Sequence, residues 1–425
     1  MTLLLFILTL GVSLSIGVPV AFALIICAAA MGLQMDLFDP QVISQRMVVG
    51  ANNFSLLAIP FFLLAGELMN AGGMSRRIIG FAMAFVGHVR GGLGVVAIFA
   101  AIILASLSGS AAADSAALIA IMLPMMKQSG HDEARSVGLM ASGGVIAPII
   151  PPSIAYIIFA VATNLSITQL FLAGIVPGVM MGLGAIIAWL IVARRDNVQP
   201  RPRQGWGVRL EETRKALWSL GMPVIILGGI RFGVVTPTEA AVIAAVYAIF
   251  VGMVVHRELK VSDLFGVFRD AALTTSVVMM LAAAALATAW FITIADLSGT
   301  VLDLVGPLVD SPTLLLIVIM ALVLMIGTML DMGPTILILA PVLLPVVEEA
   351  GIDPVYFGVL FVINCAIGLV TPPVGIVLSV SAGVSGVPLH KVAKGAAPFL
   401  IAQVTVLILL VLFPQLVLTP LNWLR

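Results

Sequence analysis

IAPIIPPS, residues 146 to 153, and LVTPPVG, residues 369 to 375, each set a Pro-Pro pair inside a long apolar run. Proline lacks the amide donor an α-helix needs and its ring clashes with the preceding turn, so each pair breaks a helix in mid-course. The surroundings are membrane-like: 61% of the 425 residues are hydrophobic and 9% are charged, against about a quarter charged in soluble domains. A water-soluble fold is excluded. Apolar runs recur at lengths suited to a hydrocarbon layer roughly 30 Å thick. The first Lys or Arg is Arg46, so the apolar N-terminus lacks the basic segment of a signal peptide and reads as membrane helix. Cys27 and Cys365 lie in apolar runs without metal-ligand spacing and read as small buried hydrophobes.

The two Pro-Pro pairs lie 221 residues apart, and sliding the chain along itself by that shift also places Pro124 on Pro345, Pro177 on Pro398 and Gly174 on Gly395. Gap-free proline matches of this kind point to a duplicated architecture. The chain therefore reads as an all-α polytopic membrane protein of two repeats, residues 1–205 and 218–425, joined by a polar cytoplasmic linker at 206–217 that overlaps RRDNVQPRPRQGWGVRLEETRK, residues 194–215. Each repeat carries two paired apolar segments, 92–105 with 115–126 and 313–327 with 335–347. At about 12 to 15 residues, or roughly 20 Å as helix, they are too short to span and read as re-entrant hairpins over 92–126 and 313–347. A discontinuous helix follows each, over 137–163 and 355–383. Five remaining crossings per repeat make the second repeat inverted, and whether residues 1–34 cross once or twice stays open.

Charge placement agrees with inversion. Residues 74–91 carry Arg76, Arg77 and Arg90 and no acid, whereas 296–312 carry Asp296, Asp303 and Asp310 and no base. With the linker in the cytoplasm, the loops assigned inside hold 17 of the 20 Lys and Arg residues, as the positive-inside rule requires. Both termini then face the periplasm of a bacterial inner membrane.

Broken helices in inverted repeats are where secondary transporters bind substrate and ions. The first hairpin turns at SLSGSAAADS, residues 106–115, and the second at GTMLDMGPT, residues 327–335. A dehydrated sodium ion needs several oxygens and little charge, which hydroxyls and the carbonyls freed by a Pro-Pro break supply. Ser106, Ser108, Gly109 and Ser110 are paired with Ile150, Pro151 and Ser153 around one ion. Gly327, Thr328 and Asp331 are paired with Val370, Thr371 and Pro373 around a second. The same Gly, Ser and Pro residues would also serve tight turns and close helix packing alone. Intramembrane carboxylates are functional by default. Asp114 is assigned to bracing the first tip, Asp331 to an ion or a tip, and Pro152 and Pro372 to the neighbourhood of the substrate. Glu67 suits a salt bridge or partner contact, and Glu239 in TPTEAA suits a helix start. No HExxH, GxSxG, Walker or GxGD pattern occurs, so the residues of ATP hydrolysis and intramembrane proteolysis are missing and no enzyme activity or cofactor is expected beyond Na+ as the coupled ion. A cation channel remains an alternative, as does a one-component carrier.

The motifs NNFSLLAIPFFLLAGELMNAGG, ASLSGSAAADSAAL, SGGVIAPIIPPS, TPTEAA, DMGPTILILAPVLLP, GIDPVYFGV and GLVTPPVG, in that order, make the chain resemble the large membrane subunit of tripartite ATP-independent periplasmic (TRAP) transporters over essentially its whole length. The resemblance implies an elevator-type transporter in which hairpins and broken helices move together. It implies sodium-driven uptake of an organic acid (a C4-dicarboxylate, sialic acid, keto acid or sugar acid) delivered by a periplasmic substrate-binding protein. It also implies a small four-helix membrane subunit, expected as a separate chain, and arm-like segments at about 38–50 and 258–270 that brace the fixed wall.

The orientation is testable with single cysteines. Residues 296–312 and 348–354 are expected to react with an impermeant thiol reagent added from the periplasm, and 194–215 and 256–270 only after the inner membrane is permeabilised. Labelling of 296–312 only after permeabilisation would reverse the topology.

Overall fold

Twenty α-helices, and no strand, make up the described residues, 2–195 and 202–424 of a computed structural model. In the first half these are α1 (Thr2–Ser15), α2 (Val20–Gln34), α3 (Pro40–Ala51), α4 (Ala58–Ala71), α5 (Met74–Val86), α6 (Gly92–Ser108), α7 (Ala111–Gln128), α8 (Glu133–Gly144), α9 (Ile154–Thr163) and α10 (Ile167–Val192). In the second they are α11 (Trp206–Arg231), α12 (Pro237–Phe250), α13 (Val261–Ile294), α14 (Leu297–Val309), α15 (Pro312–Gly327), α16 (Met332–Glu349), α17 (Pro354–Gly368), α18 (Ile376–Ser385), α19 (Leu389–Leu412) and α20 (Gln415–Leu424). Six stretches among the described residues are long and apolar enough to cross a membrane, those built on α4, α10, α12, α13, α16 and α19.

Local chemistry sets the helix starts. Asp39 accepts the Gln41 amide just ahead of Pro40, the first residue of α3. Thr236 and Glu239 close a reciprocal capping box on α12, and Asp353 receives the Tyr356 amide at the head of α17. α6 to α10 begin at residues 92, 111, 133, 154 and 167, and α15 to α19 at 312, 332, 354, 376 and 389, an offset of 220 to 222 throughout. The 34-residue α13 lies at the same offset from α3 and α4 together, which are separated where Asn53 caps a short 3-10 turn instead of continuing the helix.

Several expectations need revision. Residues 74–91 and 296–312 are not plain loops: they hold α5 and α14, whose apolar residues fall on one face among charged ones, a pattern that short polar punctuation disguises. The linker at 206–217 is the helical start of α11, and the part of the 194–215 stretch at 196–201 lies outside the described residues. The hairpin helices run 16 to 18 residues rather than 12 to 15, because the Ser and Gly residues near each tip are still helical. The apolar run that closes the second half divides into α19 and α20 at Phe413–Pro414. Residues 1–34 form two helices joined by a turn.

Two groups of helices pack side by side. One joins α4 with α12 and lays α2, α3 and α4 along α13; the other joins α8 with α7 and α19, α15 with α17, α9 with α16 and α18 with α7. In the second group the backbones of α8 and α19 nearly touch, with Gly138 against Gly395 and Ala396, and Gly395 against the carbonyl of Ala134. Gln403 of α19 adds a hydrogen bond to the Ser142 carbonyl of α8 at 2.7 Å. Trp189 of α10 locks the base of the first hairpin, donating its indole N–H to the Gly91 carbonyl at 2.7 Å while its ring covers Gly94.

A side chain at Gly138 would overlap the α19 backbone, which cannot yield as a flexible side chain would. Gly138→Val is expected to destabilise the protein by roughly 1–3 kcal/mol, the usual cost of overpacking, read as a lower melting temperature in detergent. Gly228→Val, at a position facing open space, is the control and should leave packing undisturbed.

Candidate functional site

At the first tip, α6 stops at Ser108 because Gly109 takes a left-handed conformation, φ 63°, which reverses the chain without steric cost. Ser110 then caps α7 through the Ala113 amide at 3.4 Å. Ser108 donates its hydroxyl to the Asp114 carboxylate and accepts the Ser110 amide at 3.2 Å, so three residues close the turn on itself. Asp114 is 3% exposed, and its second oxygen has no partner among the described residues. The tip rests on the first break: a Cβ at Gly109 would lie 3.2 Å from the Pro152 carbonyl. Within the break, Ser153 donates to the Pro148 carbonyl at 2.5 Å and accepts the Tyr156 amide at 3.3 Å, which starts α9. Ile150, Pro151, Pro152 and Ser153 are all buried.

The second tip is built differently. Asp331 caps α16 by accepting the Met332 amide at 2.8 Å, and Thr328 donates to the Met325 carbonyl at 2.8 Å. Gly327 lies backbone to backbone against Gly368, and the Thr328 carbonyl accepts the Gly375 amide at 3.4 Å across the tip and break. Thr371 donates to the Ile367 carbonyl at 2.7 Å, and Val370 is buried beside it. Both Pro-Pro bonds, 151–152 and 372–373, are cis. The two breaks differ in cover: Pro372, Pro373 and Val374 are exposed, as is Met329 at 65%.

Each tip thus meets the break paired with it, and the two assemblies share one cavity of about 420 Å³. Gly109, Ser110, Pro148 and Ile154 line it from the first half, and Asp331, Gly333, Leu369 and Ile376 from the second. α2, α4 and α13 form the opposite wall, where Thr274 supplies a hydroxyl-bearing side chain. The helices α7, α9, α16 and α18 all begin at this cavity. Each helix start carries about half a positive charge, set here against the Asp331 carboxylate at the head of α16; no Lys, Arg or His among the described residues lines the cavity.

Hydroxyl oxygens divide into two classes. Ser106 donates to the Ile103 carbonyl at 2.6 Å, and like Thr328 and Thr371 its oxygen keeps lone pairs for a cation. Ser108 and Ser153 each donate and accept within the protein, which suits them to holding the backbone. No cluster of three His, Cys, Asp or Glu that could hold a metal occurs among the described residues. Thr274 escaped the sequence reading, as did Asn364, buried on α17 with its amide N–H 2.5 Å from the Met320 carbonyl, and Gln403. The amides carried a signal, since side-chain amides inside FVINCAIG and FLIAQVTV must find partners in the membrane. Thr274 carried none.

Residues 7–416 match the family described as tripartite ATP-independent periplasmic transporter, DctM component. The chain is 51% identical over 415 residues to the 2,3-diketo-L-gulonate TRAP transporter large permease protein YiaN of Escherichia coli, covering 97% of each chain. It is 39% identical over 395 residues to the C4-dicarboxylate TRAP transporter large permease protein DctM of Pseudomonas aeruginosa, covering 92% of each. In fold it resembles the YdaH transporter of Alcanivorax borkumensis, with a TM-score of 0.64 at 13% identity over 90% of this chain and 89% of the other.

Removing the Ser108 hydroxyl leaves the buried Asp114 carboxylate without that donor. Ser108→Ala is expected to cost about 1–3 kcal/mol and to raise amide exchange across residues 106–113, while Ser108→Thr, which keeps the hydroxyl, stays close to the parent. Equal exchange in Ser108→Ala and the parent would show that the tip does not depend on this bond.

Proposed function

The chain belongs to the tripartite ATP-independent periplasmic transporter family as a DctM component, a TRAP large permease, and we propose that it imports an organic acid by sodium-coupled symport in the bacterial inner membrane. The observation that carries the proposal is the meeting of two hairpin tips and two broken helices at one cavity. Four helix starts give this cavity an anion-binding character without a cationic side chain, which suits a carboxylate held by amides and hydroxyls. The relative named for 2,3-diketo-L-gulonate is the more similar of the two described, so a sugar or keto acid is the first substrate to try.

Sodium sits, in this reading, at the two tip and break pairs. Ser106 with the carbonyl-rich break around Ile150 and Pro151 serves the first ion; Thr328, Asp331, Thr371 and the carbonyls near Gly327 and Val370 serve the second. Ser108, Gly109, Ser110, Asp114 and Ser153 hold the first site's backbone in place. The constant helix offset, joined to the opposite charges of equivalent segments, supports inverted repeats with both termini periplasmic. The group containing both hairpins then moves as an elevator against the group built on α13, and a small membrane subunit and a periplasmic binding protein complete the machine.

Reconstitution tests this reading. Vesicles carrying the chain, the small subunit and the binding protein in every combination should accumulate 2,3-diketo-L-gulonate or a related sugar acid only with the full set and an inward sodium gradient. Accumulation by this chain alone at the full rate would replace the tripartite reading with a one-component carrier; flux without accumulation would point to a channel. In the working set, Thr371→Val and Thr328→Val should each raise the sodium concentration for half-maximal uptake about threefold to tenfold, as expected for one lost neutral ligand.

A further inference from the structure

The start of α11 carries a buried cation. Arg209 is 6% exposed, and its Nε and Nη2 atoms are buried without a hydrogen-bond partner among the described residues. The guanidinium carbon lies 5.3 Å from the centre of the Trp206 ring and 5.7 Å from that of Phe85 on α5. Aromatic faces attract such a cation weakly, and stacking leaves its in-plane N–H groups unmet. The nearest acids in sequence are engaged elsewhere, Glu211 and Glu212 both meeting Lys215, at 2.7 and 2.8 Å. A buried charge without a partner is costly enough that proteins normally supply one.

The surroundings favour an anion. α11 is 26 residues long and begins at Gly205 with no side-chain cap, so its first amide N–H groups add the positive end of a helix dipole beside Arg209. His88, at the end of α5 against Pro202 and Gln204 of the segment leading into α11, has a buried Nδ1 that also lacks a partner. The ring lying over the guanidinium belongs to Trp206, itself 76% exposed and so free to change rotamer. Around it Val208 and Leu210 are exposed as well. A Trp and two aliphatic side chains beside a basic group make the composition of a helix start lying at the headgroup level of a bilayer.

We propose that the junction of α5 and the start of α11 binds the phosphate of an anionic phospholipid headgroup through Arg209 and the first amides of α11. The forked guanidinium presents paired donors matched to two phosphate oxygens, which an ammonium cannot do. The leaflet is cytoplasmic under the orientation given above, on which this site's address rests, though its chemistry does not. α5 leads from the α4 turn into the first hairpin, so a lipid held here ties the approach to the transport cavity to the membrane surface.

The test uses the full-length chain in neutral detergent, with melting followed after adding phosphatidylglycerol, phosphatidylcholine or inorganic phosphate, and with bound lipid counted by native mass spectrometry. Phosphatidylglycerol is expected to raise the melting temperature and to remain bound, whereas the other two are not. Arg209→Met should retain about tenfold less phosphatidylglycerol, as expected for a lost charge-assisted pair of bonds. Arg214→Gln, an exposed charge on the same helix, should retain it as the parent does. Should Arg209→Met fail to accumulate, Trp206→Ala removes the exposed ring over the cation and should change retention while the chain still folds. Equal retention in the parent and in the Arg209 and Trp206 variants would overturn the site, and an equal shift with inorganic phosphate would overturn the lipid as its source. Neither outcome touches sodium-driven uptake, which is measured separately.

Discussion

Hydrocarbon offers no partner to a peptide N–H or C=O, so every place where a helix stops inside the membrane has to be closed by protein. This chain stops helices there at two tips and two breaks, and each closure uses a different local device. Ser108 and Asp114 bond across the first turn; Asp331 caps α16; Ser153 bridges back to Pro148; the amide of Val377 reaches the Leu369 carbonyl at 3.0 Å across the second break. The first tip covers its break, so the backbone freed by that proline pair is sheltered, whereas Pro372 and Pro373 of the second stay exposed. The cavity lies where four helix starts meet, and apart from Ser110, Thr274 and Asp331 the side chains that line it are apolar.

The halves share helix spacing but not side chains, and the difference falls on the tips and breaks. The first break is buried throughout, while Pro372, Pro373 and Val374 of the second are open. A carboxylate caps the second tip where Ser110 caps the first. The second pair is therefore the more accessible of the two, although each tip holds one carboxylate, Asp114 in the first and Asp331 in the second.

The proline pairs, the tip motifs and the 221-residue shift were legible because each is a local signal: a missing donor, a left-handed glycine, a hydroxyl beside a turn. α5 and α14 were not, since an amphipathic helix of 13 residues with charges on one face resembles a loop when only membrane-length apolar runs are sought. The assignment of Ser108 and Ser153 among ion ligands rested on their place at a hairpin tip and beside a Pro-Pro break. Hydrogen-bond direction separates them from Ser106, Thr328 and Thr371, and direction is a property of three-dimensional neighbours. Thr274 was invisible for the same reason, as it reaches the cavity from a helix whose sequence resembles ordinary membrane packing.

The contact of α8 with α19 carries a consequence for biogenesis. Ser142 and Gln403 are 261 residues apart in the chain, so at about 5–20 residues per second the ribosome needs roughly 13 to 50 s to deliver the second partner after the first. Throughout that interval the glycine face of α8 has no α19 to meet. The first half must wait in the bilayer with its partner surface unfilled, held by the insertion machinery, by lipid, or by its own α6, α7 and α10. Early closure of the Ser108–Asp114 turn, which draws only on residues already made, seals the polar tip of the first hairpin while the rest is still being synthesised.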